Sequence, residues 1–172
     1  YRQTLRNCGR DVYLGWQTVF SMPEAEVGDR AYIGRSCGIG FAKIGEEVML
    51  ADEVQILSGG NEHGRADDHQ TMHEQAQTYR QITIGYGAWI GAGAIVMADI
   101  GEGAIVGAGA VVNKSIPAHC VAVGVPARVV NRLNIEKDSS EEWIAAIKTA
   151  EESSSPHENI ANASGITPAS GG

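Results

Sequence analysis

Cations are scarce in this chain of 172 residues: 13 lysines and arginines stand against 21 aspartates and glutamates, a net charge of −8. Nucleic acid is therefore excluded as the main partner, because phosphate backbones need a concentrated positive surface. Cysteine is equally sparse. Cys8, Cys37 and Cys120 are odd in number and form no CxxC, which indicates neither a disulfide framework nor a zinc ribbon and suits a reducing cytoplasm. No run approaches the ~20 apolar residues of a membrane span. Aromatics make up only 6%, too few for the usual bulky layered core.

Glycine is plentiful, with 22 residues, and it is not scattered. From Val27 the chain reads VGDRAY, IGRSCG, then IGEEVM and LADEVQ from Ile44, then IGYGAW, IGAGAI, IGEGAI and VGAGAV from Ile84, Ile90, Ile100 and Val106. A branched apolar lead recurs every six residues, and a small or apolar residue follows four places later, as at Ala31, Cys37, Val48 and Ala88. Two inward positions per hexad suit a short strand and a corner, since alternate strand residues share a face. The glycine after each lead is expected to take a turn conformation that bulkier residues resist. Three such units close a triangular coil, and stacked coils make an all-β parallel solenoid.

Residues 1–26 read as an opening segment with an irregular first coil, Val12, Leu14 and Val19 pointing inward. The regular solenoid runs over 27–130, with slips at Ile39–Ile44 (five residues) and Val96–Ile100 (four). Residues 57–81 break the repeat and hold His63, His69 and His73. Long excursions in regular solenoids are commonly functional. Residues 131–152 form an extension whose SSEEWIAAIKTAEE stretch predicts a C-terminal helix, with Ser139 and Glu142 as a capping box. The remainder, 153–172, has the composition of a disordered tail.

The hexads, the excursion with Asn61-Glu62-His63-Gly64, IGYGAWIGAGAIV, IGEGAIVGAGAVVNKSIP and the closing AVGVPARVV resemble the hexapeptide-repeat acyltransferases, most closely the maltose, galactoside and lipopolysaccharide O-acetyltransferase branch. That resemblance implies a left-handed parallel β-helix, an exception to the right-handed crossover rule. It implies a homotrimer with active sites between subunits and acetyl-CoA as donor. It also implies a loop histidine as catalytic base, which here is His63. Its donor-site pattern falls on Ala92, Ala108, Asn113, Lys114 and Arg128, with Ala92 and Ala108 offering backbone groups to the pantetheine arm. The cations among them would meet the CoA phosphates, and Asn113 stands where the family usually has threonine. Trp89, just before an inward lead, is expected to face outward, either flanking the CoA groove or packing at the trimer contact.

Chemistry supports the histidine separately. Acyl transfer to a hydroxyl or amine needs a proton removed as the new bond forms, and imidazole with a pKa of about 6.5 suits that near neutrality. Asn61, Glu62 and Glu74 are candidates for contacts to a small acceptor, a sugar or glycan precursor, and Glu62, Asp67 or Glu74 for orienting the imidazole. The spacing His63-x5-His69-x3-His73 raises a metal site, but a polar loop collects histidines readily and no metal is expected. A hexapeptide-repeat carbonic anhydrase would need ligand histidines on the helix faces, and residues 27–56 and 82–112 contain none. An antibiotic acetyltransferase would share the loop histidine and the final repeats, and a non-catalytic trimeric scaffold would need neither His63 nor Lys114. A serine acetyltransferase is disfavoured by the lack of a long helical amino-terminal region and of an aspartate–histidine pair in the repeats.

Overall fold

The computed structural model describes residues 5–60, 62, 71 and 74–133. Asn61, His63, His69 and His73, the helix expected at 139–152 and the tail lie outside the described residues.

Most hexads supply one two-residue strand and one corner. The first coil comprises β1 (Asn7–Cys8), β2 (Tyr13–Leu14) and β3 (Val19–Phe20). The second comprises β4 (Glu26–Val27), β5 (Tyr32–Ile33) and β6 (Gly38–Ile39), and the third β7 (Ala42–Ile44), β8 (Met49–Leu50) and β9 (Gln55–Ile56). After the excursion come β10 (Ile82–Ile84), β11 (Trp89–Ile90) and β12 (Ile95–Val96). The fifth coil enters at Ile100, which bridges Ile84 and Ile116, and continues as β13 (Ile105–Val106) and β14 (Val111–Val112). A sixth, partial coil holds β15 (Cys120–Val123), against which β16 (Arg128–Arg132) folds back antiparallel.

These strands stack into three parallel sheets. Sheet A is β1-β4-β7-β10, sheet B runs β2-β5-β8-β11-β13-β15 with β16 at its edge, and sheet C is β3-β6-β9-β12-β14. Register shows how the period slips are absorbed. Tyr32 pairs with Met49, seventeen residues on, and Trp89 with Ile105, sixteen on. The coil shortens at its corners while every lead still lands on a lead. Thus Ile33, Leu50, Ile90, Val106 and Ala122 share one stack, all at most 1% exposed.

Two expectations need correction. In the first coil Val19 points outward and is exposed, while Phe20 takes the inward place and packs on the core with Val12 and Leu14. The glycines after the leads do not make the turns. Left-handed backbone falls two residues later, at Arg30, Ser36, Glu47, Glu53, Gly87, Gly93, Gly103 and Gly109, with φ between 55° and 66°. The lead-following glycines are needed for close stacking: a Cβ on Gly91 would stand 2.5 Å from the Ala108 nitrogen, and one on Gly28 2.5 Å from that of Glu46. Coils about 4.8 Å apart leave no room there for a side chain.

The outward faces differ in character. Sheet A presents Asn7, Glu26, Lys43 and Thr83 in register. Sheet B presents Tyr13, Tyr32, Met49, Trp89, Ile105 and Val121, with the Tyr13 and Tyr32 rings stacked at 4.6 Å.

Candidate active site

Two corners carry the candidate residues. The first joins sheet B to sheet C and stacks Arg35, Asp52, Ala92 and Ala108, each two places after a lead whose register is fixed by the ladder. At this corner the outward amide of the second coil is capped: Arg35 N donates to Asp52 Oδ1 at 2.8 Å, while the Arg35 guanidinium holds Asp52 Oδ2 at 2.6 Å. The guanidinium and the amide together hold the Asp52 carboxyl below its ordinary range. The same arrangement joins Arg10 and Asp29 at the neighbouring corner.

In the upper coils that cap is missing, because the residue standing where Asp52 stands is alanine. Gly109 N reaches Ala92 O at 2.8 Å and Gly93 N reaches Asp52 O at 3.0 Å, so these stacked backbones are held in place. The Ala92 and Ala108 amides themselves meet no acceptor among the described residues. Both alanines are exposed, and a Cβ added at Gly93 or Gly109 would touch nothing within 4 Å. The result is a smooth, uncrowded edge with outward amides, suited to an extended ligand that brings its own carbonyls. The sequence singles out Ala92 and Ala108, but the reason for alanine emerges only from the contrast with Asp52.

The second corner joins sheet C to sheet A, and here the excursion leaves and returns. Its neck is Ser58, only 2% exposed. The Ser58 carbonyl accepts from Arg80 N at 2.7 Å, the Ser58 hydroxyl oxygen accepts from Phe41 N at 3.0 Å, and the Ser58 amide donates to Glu62 Oε1. Arg80 then reaches the next coil, where Nη1 meets Asp99 Oδ2 at 2.9 Å and Asp99 Oδ1 accepts from Thr83 N at 2.9 Å. Burial pushes the Asp99 carboxyl up, and the Thr83 amide and Arg80 guanidinium outweigh it, so the net shift is downward. Glu74 accepts from the Thr71 amide and hydroxyl at 2.9 and 3.0 Å. Sequence reasoning does not single out Ser58, Arg80 or Asp99, since their roles depend on which coils become neighbours.

Asn113 and Lys114 lie exposed on this second corner, two coils beyond the neck. Trp89 projects from sheet B and is 42% exposed. Arg128 begins β16 and is also exposed, its Nη1 donating to Ala127 O at 2.9 Å. The donor-site candidates of one chain therefore occupy the face of sheet B and both edges of sheet C; Ala92 and Ala108 are brought together, but Asn113 and Lys114 stand across a strand from them. Cys37 is buried, its thiol pushed up by burial. Among the described residues no group of three or more His, Cys, Asp or Glu side chains is placed to hold a metal, and no helix is long and apolar enough to cross a membrane.

No family profile matches the chain. The serine acetyltransferase of Escherichia coli K12 is 33% identical over 127 residues, covering 68% of this chain and 40% of that enzyme. The chain thus spans well under two thirds of the length of the curated relatives it matches. Among solved structures, a maltose O-acetyltransferase from Clostridium difficile 630 aligns with a TM-score of 0.69 at 29% identity, over 77% of this chain and 72% of that one. A galactoside acetyltransferase in complex with coenzyme A has the same fold, with a TM-score of 0.67 at 24% identity over 78% of this chain and 68% of that one. With the hexads, the three parallel sheets and the mid-solenoid excursion, these likenesses show that the chain is a left-handed β-helix protein and belongs to the hexapeptide-repeat acyltransferase family.

Proposed function

We propose that this protein moves an acetyl group from acetyl-CoA to a hydroxyl or amine of a small acceptor, a sugar or glycan precursor, with His63 as general base. The observation that carries the donor half is the pair of uncapped amides at Ala92 and Ala108 on an edge cleared of side chains. A pantetheine arm has amide groups spaced along a slender chain, and such an edge can bond to it without a steric penalty. Lys114 and Arg128, exposed toward the C-terminal end of the solenoid, give the phosphates cationic partners, and Trp89 flanks the groove. Acetyl-CoA supplies an acetyl group activated as a thioester. His63 takes the acceptor's proton as the new C–O or C–N bond forms, the thioester C–S bond breaks and CoA leaves as the thiol with that proton, a contribution of about 10²–10⁴-fold. Asn61, Glu62 and Glu74 belong to the segment that meets the acceptor.

Assembly is part of this reading. Within one chain the candidate residues occupy separate corners, so a cleft shared by two copies is needed to join them. The apolar column on sheet B, beside the polar column on sheet A, supports a cyclic homotrimer with sheet A facing solvent. Three free thiols suit a reducing cytoplasm.

A second acceptor is favoured by the likeness to serine acetyltransferases, namely the serine hydroxyl. Thiol release from acetyl-CoA against a panel of sugars, amines and serine, with calorimetry for CoA and sedimentation for assembly, tests the reading. Heat on CoA titration and turnover with one acceptor class are expected. A monomer that binds no CoA and turns over none of the panel would leave only a non-catalytic scaffold.

A further inference from the structure

Both legs of the excursion are tied to the solenoid at Ser58. On the outgoing leg the Glu62 carboxylate turns back to the Ser58 amide, four residues behind it. On the returning leg Arg80 gives its amide to the Ser58 carbonyl at 2.7 Å and its guanidinium to Asp99 at 2.9 Å. Ser58 itself is fixed from below by the Phe41 amide at 3.0 Å and buried. Asp99 is fixed from the other side by the Thr83 amide. Three coils therefore define where the neck stands. Glu62 directly precedes His63 in the chain, so the tie on Glu62 sets the point from which residue 63 departs.

We propose that Glu62 and Arg80 are positioning residues for acyl transfer, pinning the two legs of the excursion to Ser58 and Asp99 and so fixing the reach of the base. The inference rests on the reading of His63 given above. It assigns the Glu62 carboxylate to a backbone amide of the neck, and neither to the imidazole nor to the acceptor. Geometry of this kind matters steeply: a displacement of about 1 Å at a reacting group costs up to about 10²-fold in rate. The Ala92 and Ala108 amides are on a different corner and Lys114 stands two coils beyond the neck, so loosening the neck leaves CoA binding untouched.

The test uses the full chain with Glu62→Ala, Glu62→Gln, Arg80→Ala and Arg80→Lys. Turnover, KM for acetyl-CoA, CoA affinity, Tm and the pH profile of kcat/KM are measured on each. The alanine variants are expected to lose about 10- to 100-fold in kcat, with KM and CoA affinity within about twofold of wild type. Glu62→Gln keeps an oxygen for the Ser58 amide, and Arg80→Lys keeps a cation for Asp99, so both recover most of the turnover. The acid limb of the pH profile, which reports protonation of the base, stays where it is in Glu62→Gln. Should an alanine variant fail to fold, Glu62→Asp, which keeps the charge but shortens the reach, takes its place. Wild-type kcat in the alanine variants overturns the proposal, as does a parallel loss of CoA affinity and Tm. A shifted pH limb in Glu62→Gln also overturns it, because that would put the charge on the base itself. His63→Ala is run alongside: full turnover there removes the base reading, whereas an inactive His63→Ala beside fully active Glu62→Ala and Arg80→Ala removes only the positioning role.

Discussion

The Asp52 carboxylate caps the Arg35 amide at 2.8 Å, and at the same corner of the upper coils Ala108 stands over Ala92 and caps nothing. One column of the solenoid thus has two uses. In the second coil the amide is closed by charge and hydrogen bonds, and on the proposed reading the upper amides are left for a ligand. The first prediction follows from that contrast. Ala108→Asp should cap the Ala92 amide as Asp52 caps that of Arg35, leaving Tm unchanged or raised while CoA affinity falls about tenfold or more, the scale of one hydrogen bond to a charged or well-placed group. Calorimetry reads the affinity. Unchanged CoA binding would remove the amides from the donor site.

Stacking glycines and turn glycines should respond differently to a methyl group. Gly91→Ala forces a Cβ to 2.5 Å from the Ala108 nitrogen and is expected to cost about 1–3 kcal/mol or more, as overpacking does. Gly93→Ala meets open space and carries only the penalty of its φ of 66°, about 1–2 kcal/mol. Denaturant unfolding of both variants separates the two, with Gly91→Ala the more damaging.

Much of the architecture is legible in the sequence because a hexad constrains one side chain in three so strongly. Leads and small residues point inward wherever the period is regular, and the short corners after Ile39 and Val96 are absorbed as coils of seventeen and sixteen residues. Val19 is misplaced by the pattern because Phe20, the true lead, is followed by no glycine. The role of the lead-following glycines is hidden for a related reason: a glycine's need for positive φ and its need for a close neighbour look identical in sequence. The ties of Ser58 to Arg80, and of Arg80 to Asp99, join residues about twenty positions apart through coil stacking, and no local pattern announces them. His63 is singled out by its motif and by the chemistry of acyl transfer.

Acid should weaken the fold through the corner carboxylates. The Arg10 amide and guanidinium hold the Asp29 carboxyl below its ordinary value, and the Arg35 guanidinium and amide do the same for Asp52. A carboxyl lowered on folding contributes its full stability above its unfolded pKa of about 3.9 and loses it as pH falls through the lowered folded value. Unfolding midpoints should therefore be flat above about pH 5 and decline below about pH 4. Asp52→Asn, which keeps an amide acceptor but cannot titrate, should show a shallower decline over that window. An acid limb identical to wild type would count against these pairs.

Removing a phosphate partner should act on the donor alone. Lys114→Ala is expected to raise KM for acetyl-CoA about tenfold, in keeping with one charge-assisted contact. KM for a phosphate-free pantetheine thioester should not move. Equal effects on both donors would place Lys114 elsewhere in the reaction.

Turnover of acetyl-CoA by wild type and by His63→Ala, with a common acceptor and with CoA affinity measured on the same samples, reaches the centre of the matter. A fall of about 10²–10⁴-fold in kcat at unchanged CoA affinity is the expected result. Wild-type turnover without that imidazole, or a native protein that does not bind CoA, would contradict it.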